Sequence, residues 1–331
     1  MGIFCYYTYY LWLKAGVVMF RFFMFMCVTL VFVSGCHERK SETIAVLSNS
    51  MTNPYWKTIY QGFQDTALEL NQAIYIQTLT KVGDAEEQAN QCENALLQKP
   101  KAIIFAAVNQ VNLISCLTKA SAQGIVLVDI DGNFTEDDAK KYNLNVAFSV
   151  ASNNYDLGKL ASSYVKDIKG KALIIEGANG STPSIRRVSG FRENISKDIE
   201  VVASLSANWD MMNASNITRD ILVKHPDLKM VFAANDGMAL GAVQAIKESS
   251  NNDIIVVGVD GNKDAVLSIK EGHLKATVAQ FPYLMAKQAL EKTLHYLAHP
   301  EAMQFNQYVP ILVLDKDLFD QNTEPLLTYV Q

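Results

Sequence analysis

Short apolar segments alternate with amphipathic ones along most of the chain, and this alternation restricts the fold more than any other feature. Nearly continuous apolar strands that alternate with helices predict parallel sheets covered on both faces. The first series of predicted strands comprises residues 43–48, 73–79, 101–107, 125–130 and 145–150, and the second comprises residues 171–177, 200–205, 228–234, 253–259 and 274–280. Because the pattern occurs twice, the sequence predicts two doubly wound, Rossmann-like α/β domains.

Predicted helices lie between these strands, and the first of them has a clear start signal. Asn53 is a favourable N-cap, and Pro54 suits the first helical position, where its missing N–H costs nothing. Its expected buried face consists of Ile59, Phe63, Ala67 and Leu70. The predicted helices comprise residues 55–70, 85–98, 111–123, 183–196, 212–224, 238–247 and 263–271.

Tyr55 and Trp56 begin the first helix, about 100° apart around its axis. Two adjacent large rings therefore cannot both point into one core. Their place directly after the first strand suggests that they contact a ligand.

Composition and charge exclude several functional classes. The 331 residues are 49% hydrophobic and 19% charged, with a net charge of -5, which is typical of a globular protein and argues against nucleic-acid binding. The sequence contains no GxSxG, GxxxxGK[ST] or HExxH motif and no Cys/His cluster with metal-ligand spacing. We therefore expect neither a cofactor nor a metal site.

The first 36 residues have the pattern of an export signal, with Arg21 ahead of an unbroken apolar run. The run ends in Val33-Ser34-Gly35-Cys36, which resembles a bacterial lipobox, so Cys36 is the predicted lipidated N-terminus of the mature protein. A plain signal peptide and an N-terminal anchor helix are the alternatives, and Met1 and Met19 are the two alternative starts of translation. Residues 37–42 are a predicted linker.

Two cysteines, Cys92 and Cys116, remain in the mature chain, both on predicted helices. Export permits a disulfide between them. Two separate buried thiols are an equal alternative.

Two seven-residue segments echo each other across the predicted domains. Residues 127–133 read LVDIDGN and residues 256–262 read VVGVDGN, so each apolar strand leads into an Asp-Gly pair. In open parallel α/β sheets, ligands bind outside the carboxyl ends of the strands. Asp131 and Asp260 are thus expected where two facing domains close on one small molecule.

Further polar and aromatic residues collect at the same strand ends. Carboxylates and amides bind vicinal hydroxyls while flat rings cover C–H surfaces, so the set suits a neutral sugar or polyol. Each residue also has a structural alternative, because Asn and Asp at strand ends commonly make turns or cap helices. A glycosidase with Asp131 and Asp260 as its acid/base pair is the enzymatic alternative. The candidates are Asn49, Asn53, Tyr55, Trp56, Asp131, Trp209, Asn235, Asp260 and Gln280.

Six segments, in order, resemble periplasmic sugar-binding proteins of the ribose/galactose type. They are TIAVLSNSMTNPYW, VASNNYDLG, RRVSGF, VFAANDGMALGAVQAI, VVGVDGN and ATVAQFP. Lactose-repressor-like effector domains share this fold, but they follow an N-terminal helix-turn-helix, and here a leader occupies that place.

The resemblance implies the type I periplasmic binding protein fold, with two lobes joined by a three-segment hinge. By analogy the crossings fall near Val150, Gln280 and Pro310. The implied N-terminal lobe comprises residues 43–149 plus 281–309, and the C-terminal lobe comprises residues 150–280 plus 310–331.

The resemblance also implies that the candidate residues form the two walls of a sugar cleft, with Gln280 at the hinge. Arg187 matches the arginine, three residues before Gly-Phe, that contacts hexose in the galactose branch. Gly132 and Ile185 stand where the ribose branch has ligand arginines, and the bulky Trp56 and Trp209 favour a hexose-like sugar or another polyol over ribose.

The resulting expectation is a monomeric, lipid-anchored binding protein at the periplasmic or extracytoplasmic membrane face. It delivers a sugar to the permease of an ABC importer without catalysis. The alternative is a receptor for a sugar or an autoinducer-like polyol that acts on a sensor kinase or a chemoreceptor.

Overall fold

The computed structural model describes residues 43–109, 111–249, 253–300 and 303–330. The predicted leader with Cys36 and the predicted linker lie outside these ranges. Within them, no helix has both the length and the apolar character needed to cross a bilayer.

The first sheet is built from six parallel strands in the order β11-β5-β4-β3-β1-β2. In β1 alternate side chains enter the cores on opposite faces of the sheet: Ile44 and Val46 on one, Ala45 and Leu47 on the other. The strands are β1 (Ile44–Leu47), β2 (Ile74–Gln77), β3 (Ala102–Phe105), β4 (Val126–Ile130), β5 (Val146–Ala151) and β11 (Asn306–Tyr308).

The second sheet also has six strands, in the order β12-β10-β9-β8-β6-β7, and it too separates two hydrophobic cores. Its strands run parallel except β12, which is antiparallel to β10. They are β6 (Gly170–Glu176), β7 (Ile199–Ser206), β8 (Leu228–Ala233), β9 (Ile255–Asp260), β10 (Ala276–Ala279) and β12 (Leu312–Asp315).

Helices cover both sheets, as the apolar strands require. They are α1 (Pro54–Glu69), α2 (Ala85–Leu97), α3 (Ile114–Ala122), α4 (Glu136–Lys141), α5 (Asn154–Tyr164), α6 (Thr182–Asn194), α7 (Met211–Lys224), α8 (Asp236–Lys247), α9 (Lys263–Lys270), α10 (Pro282–Ala298) and α11 (Lys316–Gln321), with a 3₁₀ turn at Pro325–Tyr329. The two doubly wound α/β sheets confirm the predicted fold class. The helices α4, α5, α10 and α11 were not predicted from the sequence.

The start of α1 follows the sequence prediction. Asn53 is the N-cap, and its Oδ1 accepts a hydrogen bond from the Tyr55 N–H at 3.0 Å. Ile59 and Phe63 are fully buried. Leu70 was expected on the same buried face, and this was wrong: it is the C-cap of α1 and is 41% exposed.

The chain passes between the two sheets three times: after β5, after β10 and after β11. Each passage is short, so the carboxyl ends of the strands in one sheet stay close to those in the other. The bounds of the two lobes stay a prediction.

A disulfide joins Cys92 on α2 to Cys116 on α3. Both residues are buried in a core of the first sheet. The structure thereby decides between the two alternatives that the sequence left open.

Candidate functional site

A cavity lies where the carboxyl ends of strands from both sheets meet. The structure brings all ten residues predicted for the site to its wall. Seven further residues line it. The predicted residues are Asn49, Asn53, Tyr55, Trp56, Asp131, Arg187, Trp209, Asn235, Asp260 and Gln280, and the others are Val82, Gly83, Val108, Asn133, Ala178, Ser181 and Pro183.

The first wall is formed by Tyr55, Trp56 and Asp131. The two rings meet edge to face, with their centroids 5.2 Å apart, and both are more than nine-tenths buried. The Tyr55 hydroxyl donates a hydrogen bond to Asp131 Oδ1 at 2.6 Å. The expectation that the two rings cannot both point into one core was wrong: both pack in the same core of the first sheet, and both also line the cavity.

The opposite wall is organised around a buried ion pair. Arg187 Nη1 lies 3.2 Å from Asp260 Oδ1 and also donates to the Ala234 carbonyl at 2.7 Å. Asn154 Oδ1 accepts a hydrogen bond from Arg187 Nε at 2.8 Å. Gln280 Nε2 donates to Asp260 Oδ1 at 2.7 Å, while Gln280 Oε1 is buried and has no partner among the described residues.

Three asparagines at the cavity use their side-chain oxygens locally. Oδ1 of Asn53 accepts from the Tyr55 N–H, and Oδ1 of Asn235 accepts from the Met238 N–H at 2.9 Å. Oδ1 of Asn49 accepts from the next backbone N–H. The capping interpretation and the ligand interpretation are therefore compatible, since each amide retains its NH₂ group as a donor.

Trp209 reaches the cavity from the loop before α7. Its backbone has a φ of 62°, the left-handed region that non-glycine residues rarely adopt. The ring packs directly on Gly177, where an added Cβ would overlap it, and lies 5.7 Å from the Arg187 guanidinium carbon. The indole is thus held in place from two sides.

Burial dominates the electrostatics of the cavity. It raises the pKa of Asp131 to about 6, even though the Tyr55 hydrogen bond and the Arg187 charge act in the opposite direction. Burial also raises the pKa of Asp260, and Arg187 and Gln280 offset part of that effect. The pKa of Tyr55 is raised by burial and by Asp131, so its hydroxyl stays a proton donor at neutral pH.

Asn133 was missed by the sequence reasoning although it ends the repeated LVDIDGN segment. Its Nδ2 donates to the Ala107 carbonyl at 2.7 Å, and its Oδ1 accepts from the Thr182 N–H at 3.1 Å. The Thr182 hydroxyl also donates to the Asn133 carbonyl. Asn133 thus connects the turn after β4 with the start of α6 across the cavity. Its position directly after Asp131-Gly132 was the available signal.

Ile185, which aligns with a ligand arginine of the ribose branch, is not among the lining residues and is 54% exposed. Gly132, at the other such position, contributes no side chain. The only arginine on the cavity wall in the described part of the chain is Arg187.

Comparison with known proteins agrees with this architecture. A family model described as a periplasmic binding protein domain matches residues 44–301. The ribose import binding protein of Bacillus subtilis is 32% identical over 261 residues, which cover 78% of this chain and 82% of that protein. The D-allose-binding periplasmic protein of Escherichia coli is 32% identical over 245 residues, covering 72% of this chain and 79% of that protein.

A solved structure shows the same arrangement of sheets. It is an ABC transporter periplasmic solute binding protein from Actinobacillus succinogenes with bound D-allose. That protein is 30% identical, with a TM-score of 0.79, and the match covers 85% of this chain and all of the other. The chain therefore belongs to the periplasmic sugar-binding proteins of the type I periplasmic binding protein fold.

Proposed function

We propose that this protein is the substrate-binding lipoprotein of a sugar ABC importer, which closes over one neutral sugar or polyol and performs no catalysis. The observation that carries the proposal is the meeting of Asp131 and Asp260, from facing sheets, in one cavity walled by aromatic rings. The related proteins named above bind ribose and allose, which supports a sugar as the ligand.

The hydrogen-bonding groups of the cavity complement a polyhydroxylated ring. Asp131, Asp260 and Gln280 Oε1, which has no partner among the described residues, accept hydrogen bonds from hydroxyl groups. The amide NH₂ groups of Asn49, Asn53 and Asn235 donate to the hydroxyl oxygens. The rings of Trp56 and Trp209 cover the apolar faces of the sugar.

A six-carbon sugar or cyclic polyol fits the wall better than ribose. Gly132 leaves the Asp131 wall without a neighbouring guanidinium, and Arg187 is the cation present on the opposite wall. In the ribose branch an arginine stands at the position of Gly132. Without its guanidinium group, the cavity lacks bidentate hydrogen bonds that a small pentose needs. The two tryptophans provide a wider apolar surface for a larger ring.

The proposal of binding without turnover is supported by the hydrogen bonds of the two carboxylates. Asp260 accepts hydrogen bonds from Arg187 and Gln280, so it is held as an ionised acceptor. Asp131 accepts from Tyr55. These contacts support a role in binding the hydroxyl groups of a sugar.

Transport requires motion of the two lobes about the three crossings, with the predicted lobe bounds at residues 149/150, 280/281 and 309/310. A sugar that contacts both walls shifts the population towards the closed form. The closed monomer, anchored through Cys36 at the extracytoplasmic membrane face, then presents both lobes to the permease.

A thermal-shift screen across pentoses, hexoses, inositols and amino sugars tests this function. We expect one class to raise the unfolding temperature of the wild type, because ligand binds only the folded form. Asp260→Ala should abolish the shift, since the closed cavity loses a charged acceptor. Asp227→Ala is the matched control, because it removes an exposed carboxylate just before β8, at the opposite end of that strand. A panel without any shift, or an unchanged shift in Asp260→Ala, contradicts the proposal.

A further inference from the structure

The two carboxylates that face the cavity both have unusual backbone conformations. Asp131 has a φ of 77° and is followed by Gly132 at 74°, while Asp260 has a φ of 131° and is followed by Gly261 at 82°. A non-glycine residue keeps such a conformation only when its surroundings enforce it. Neighbouring residues must therefore hold each Asp-Gly pair in this conformation.

On the first sheet the Asp131-Gly132 pair is held by Asp129, which is fully buried on β4. Its Oδ2 accepts from the Gly132 N–H at 3.1 Å and from the Ser149 hydroxyl at 2.5 Å. Its Oδ1 accepts from the Phe134 N–H at 3.3 Å. One carboxylate thus binds the turn after Asp131 at two points and ties it to β5.

On the second sheet the same pattern is made by Asp236, which is also fully buried. Its Oδ2 accepts from the N–H groups of Gly261 and Asn262, both at 2.8 Å. Its Oδ1 accepts from the Thr277 hydroxyl at 2.6 Å. The turn after Asp260 is again bound at two points and tied to the neighbouring strand, here β10.

The two Asp-Gly turns are held through hydroxyl groups at equivalent positions, but the carboxylates come from different positions. Ser149 lies opposite Asp129 in the sheet register, and Thr277 lies opposite Gly258. Gly258 precedes Asp260 by two residues, just as Asp129 precedes Asp131. A Cβ added at Gly258 would overlap Asp236 Oδ1, so the glycine opens the space that the carboxylate from α8 fills.

Neither Asp129 nor Asp236 lines the cavity. We propose that they are positioning residues, which hold the two Asp-Gly turns so that Asp131 and Asp260 face the ligand. In the second sheet Gly258 stands at the position equivalent to Asp129 and has no side chain. Asp236 supplies the carboxylate there from the start of α8. This inference rests on the proposed function only in taking sugar affinity as one of its readouts.

Moving the carboxylate tests the inference. Asp236→Ala should weaken binding of the best ligand among D-ribose, D-allose and myo-inositol about tenfold to a hundredfold, as expected when charged hydrogen bonds are lost. The double variant Asp236→Ala/Gly258→Asp places a carboxylate where Asp129 stands in the first sheet, and should recover most of the affinity. Asp129→Ala should weaken binding as Asp236→Ala does.

Ile221→Ala is the control for a general loss of stability. Ile221 is buried in a core of the second sheet and does not line the cavity, so its truncation should lower the unfolding temperature without changing Kd. Wild-type affinity in folded Asp236→Ala would overturn the inference. So would a folded double variant that binds no better than Asp236→Ala.

A measurement without ligand separates this inference from the proposed function. The amide resonances of Gly261 and Asn262 should shift in Asp236→Ala and return towards their wild-type positions in the double variant. If the wild type binds no sugar of the thermal-shift panel, the proposed function fails, and these resonances still decide the positioning role. Resonances that are unchanged in Asp236→Ala would overturn it.

Discussion

At the scale of single residues, Asp131 and Asp260 occupy similar places with different electrostatic surroundings. Asp260 has Arg187 at ion-pair distance. In the described part of the chain, no basic side chain lies that close to Asp131, which accepts a hydrogen bond from Tyr55 and feels the repulsion of Asp129 and Asp260. A buried carboxylate without a cation lowers stability and is retained where function needs it.

Asp131→Asn should therefore stabilise the ligand-free protein near neutral pH. Burial raises the pKa of Asp131 from 3.8 to about 6, so its contribution favours folding at low pH and is lost as the pH rises towards 6. We expect Asp131→Asn to be more stable than the wild type at pH 7.5 by up to about 3 kcal/mol, with the difference shrinking towards pH 4. Denaturant unfolding at both pH values measures it, and a gain independent of pH would contradict the explanation.

At the scale of elements, the disulfide connects two helices that cover one face of the first sheet. Cys92 on α2 and Cys116 on α3 enclose a short stretch of chain that includes β3, with 24 residues of sequence separation. A cross-link of this kind stabilises mainly by restricting the unfolded chain. Neither cysteine lines the cavity, so its effect on stability is separate from ligand binding.

The double variant Cys92→Ser/Cys116→Ser should lose about 3 kcal/mol of unfolding free energy, the loop-closure entropy of such a separation. Sugar affinity should stay at the wild-type value, because α2 and α3 keep their packing. Unfolding curves and calorimetric titration measure the two quantities. A large fall in affinity at unchanged secondary structure would show that the helices also shape the cavity.

At the scale of the whole molecule, the connections between the sheets in the described part of the chain include three short crossings and a hydrogen-bonded contact across the cavity. Thr182 at the start of α6 binds Asn133 after β4 through two hydrogen bonds. Each hydrogen bond of this kind contributes only modestly to stability. Such contacts therefore suit the proposed closed form, which a bound ligand would stabilise further.

The proposed membrane attachment depends on lipidation of Cys36. Cys36→Ser should move the protein from the membrane fraction to the soluble extracytoplasmic fraction and abolish incorporation of labelled fatty acid. Cys27→Ser, a change within the same leader, is the matched control and should stay membrane-bound. Membrane retention of Cys36→Ser would refute lipidation at this position.

The sequence alone determined the α/β class, the two series of strands, the capped start of α1 at Asn53 and the polar residues at the strand ends. These features follow from short-range periodicity and from turn residues, which act over a few neighbours along the chain. The helix α5 was not predicted, although Leu157 and Ala161 recur on its buried face at helical spacing.

Only the tertiary structure decided which side chains these residues contact. Tyr55 and Asp131 are 76 residues apart, and Arg187 and Asp260 are 73 apart, so no local pattern pairs them. The disulfide likewise depends on how α2 and α3 pack. The role of Asp236 was hidden because its hydrogen bonds cross from one βα connection to the next. Contacts of this range form only when the sheets bring distant strand ends together, so they belong to the fold and not to any segment of the sequence.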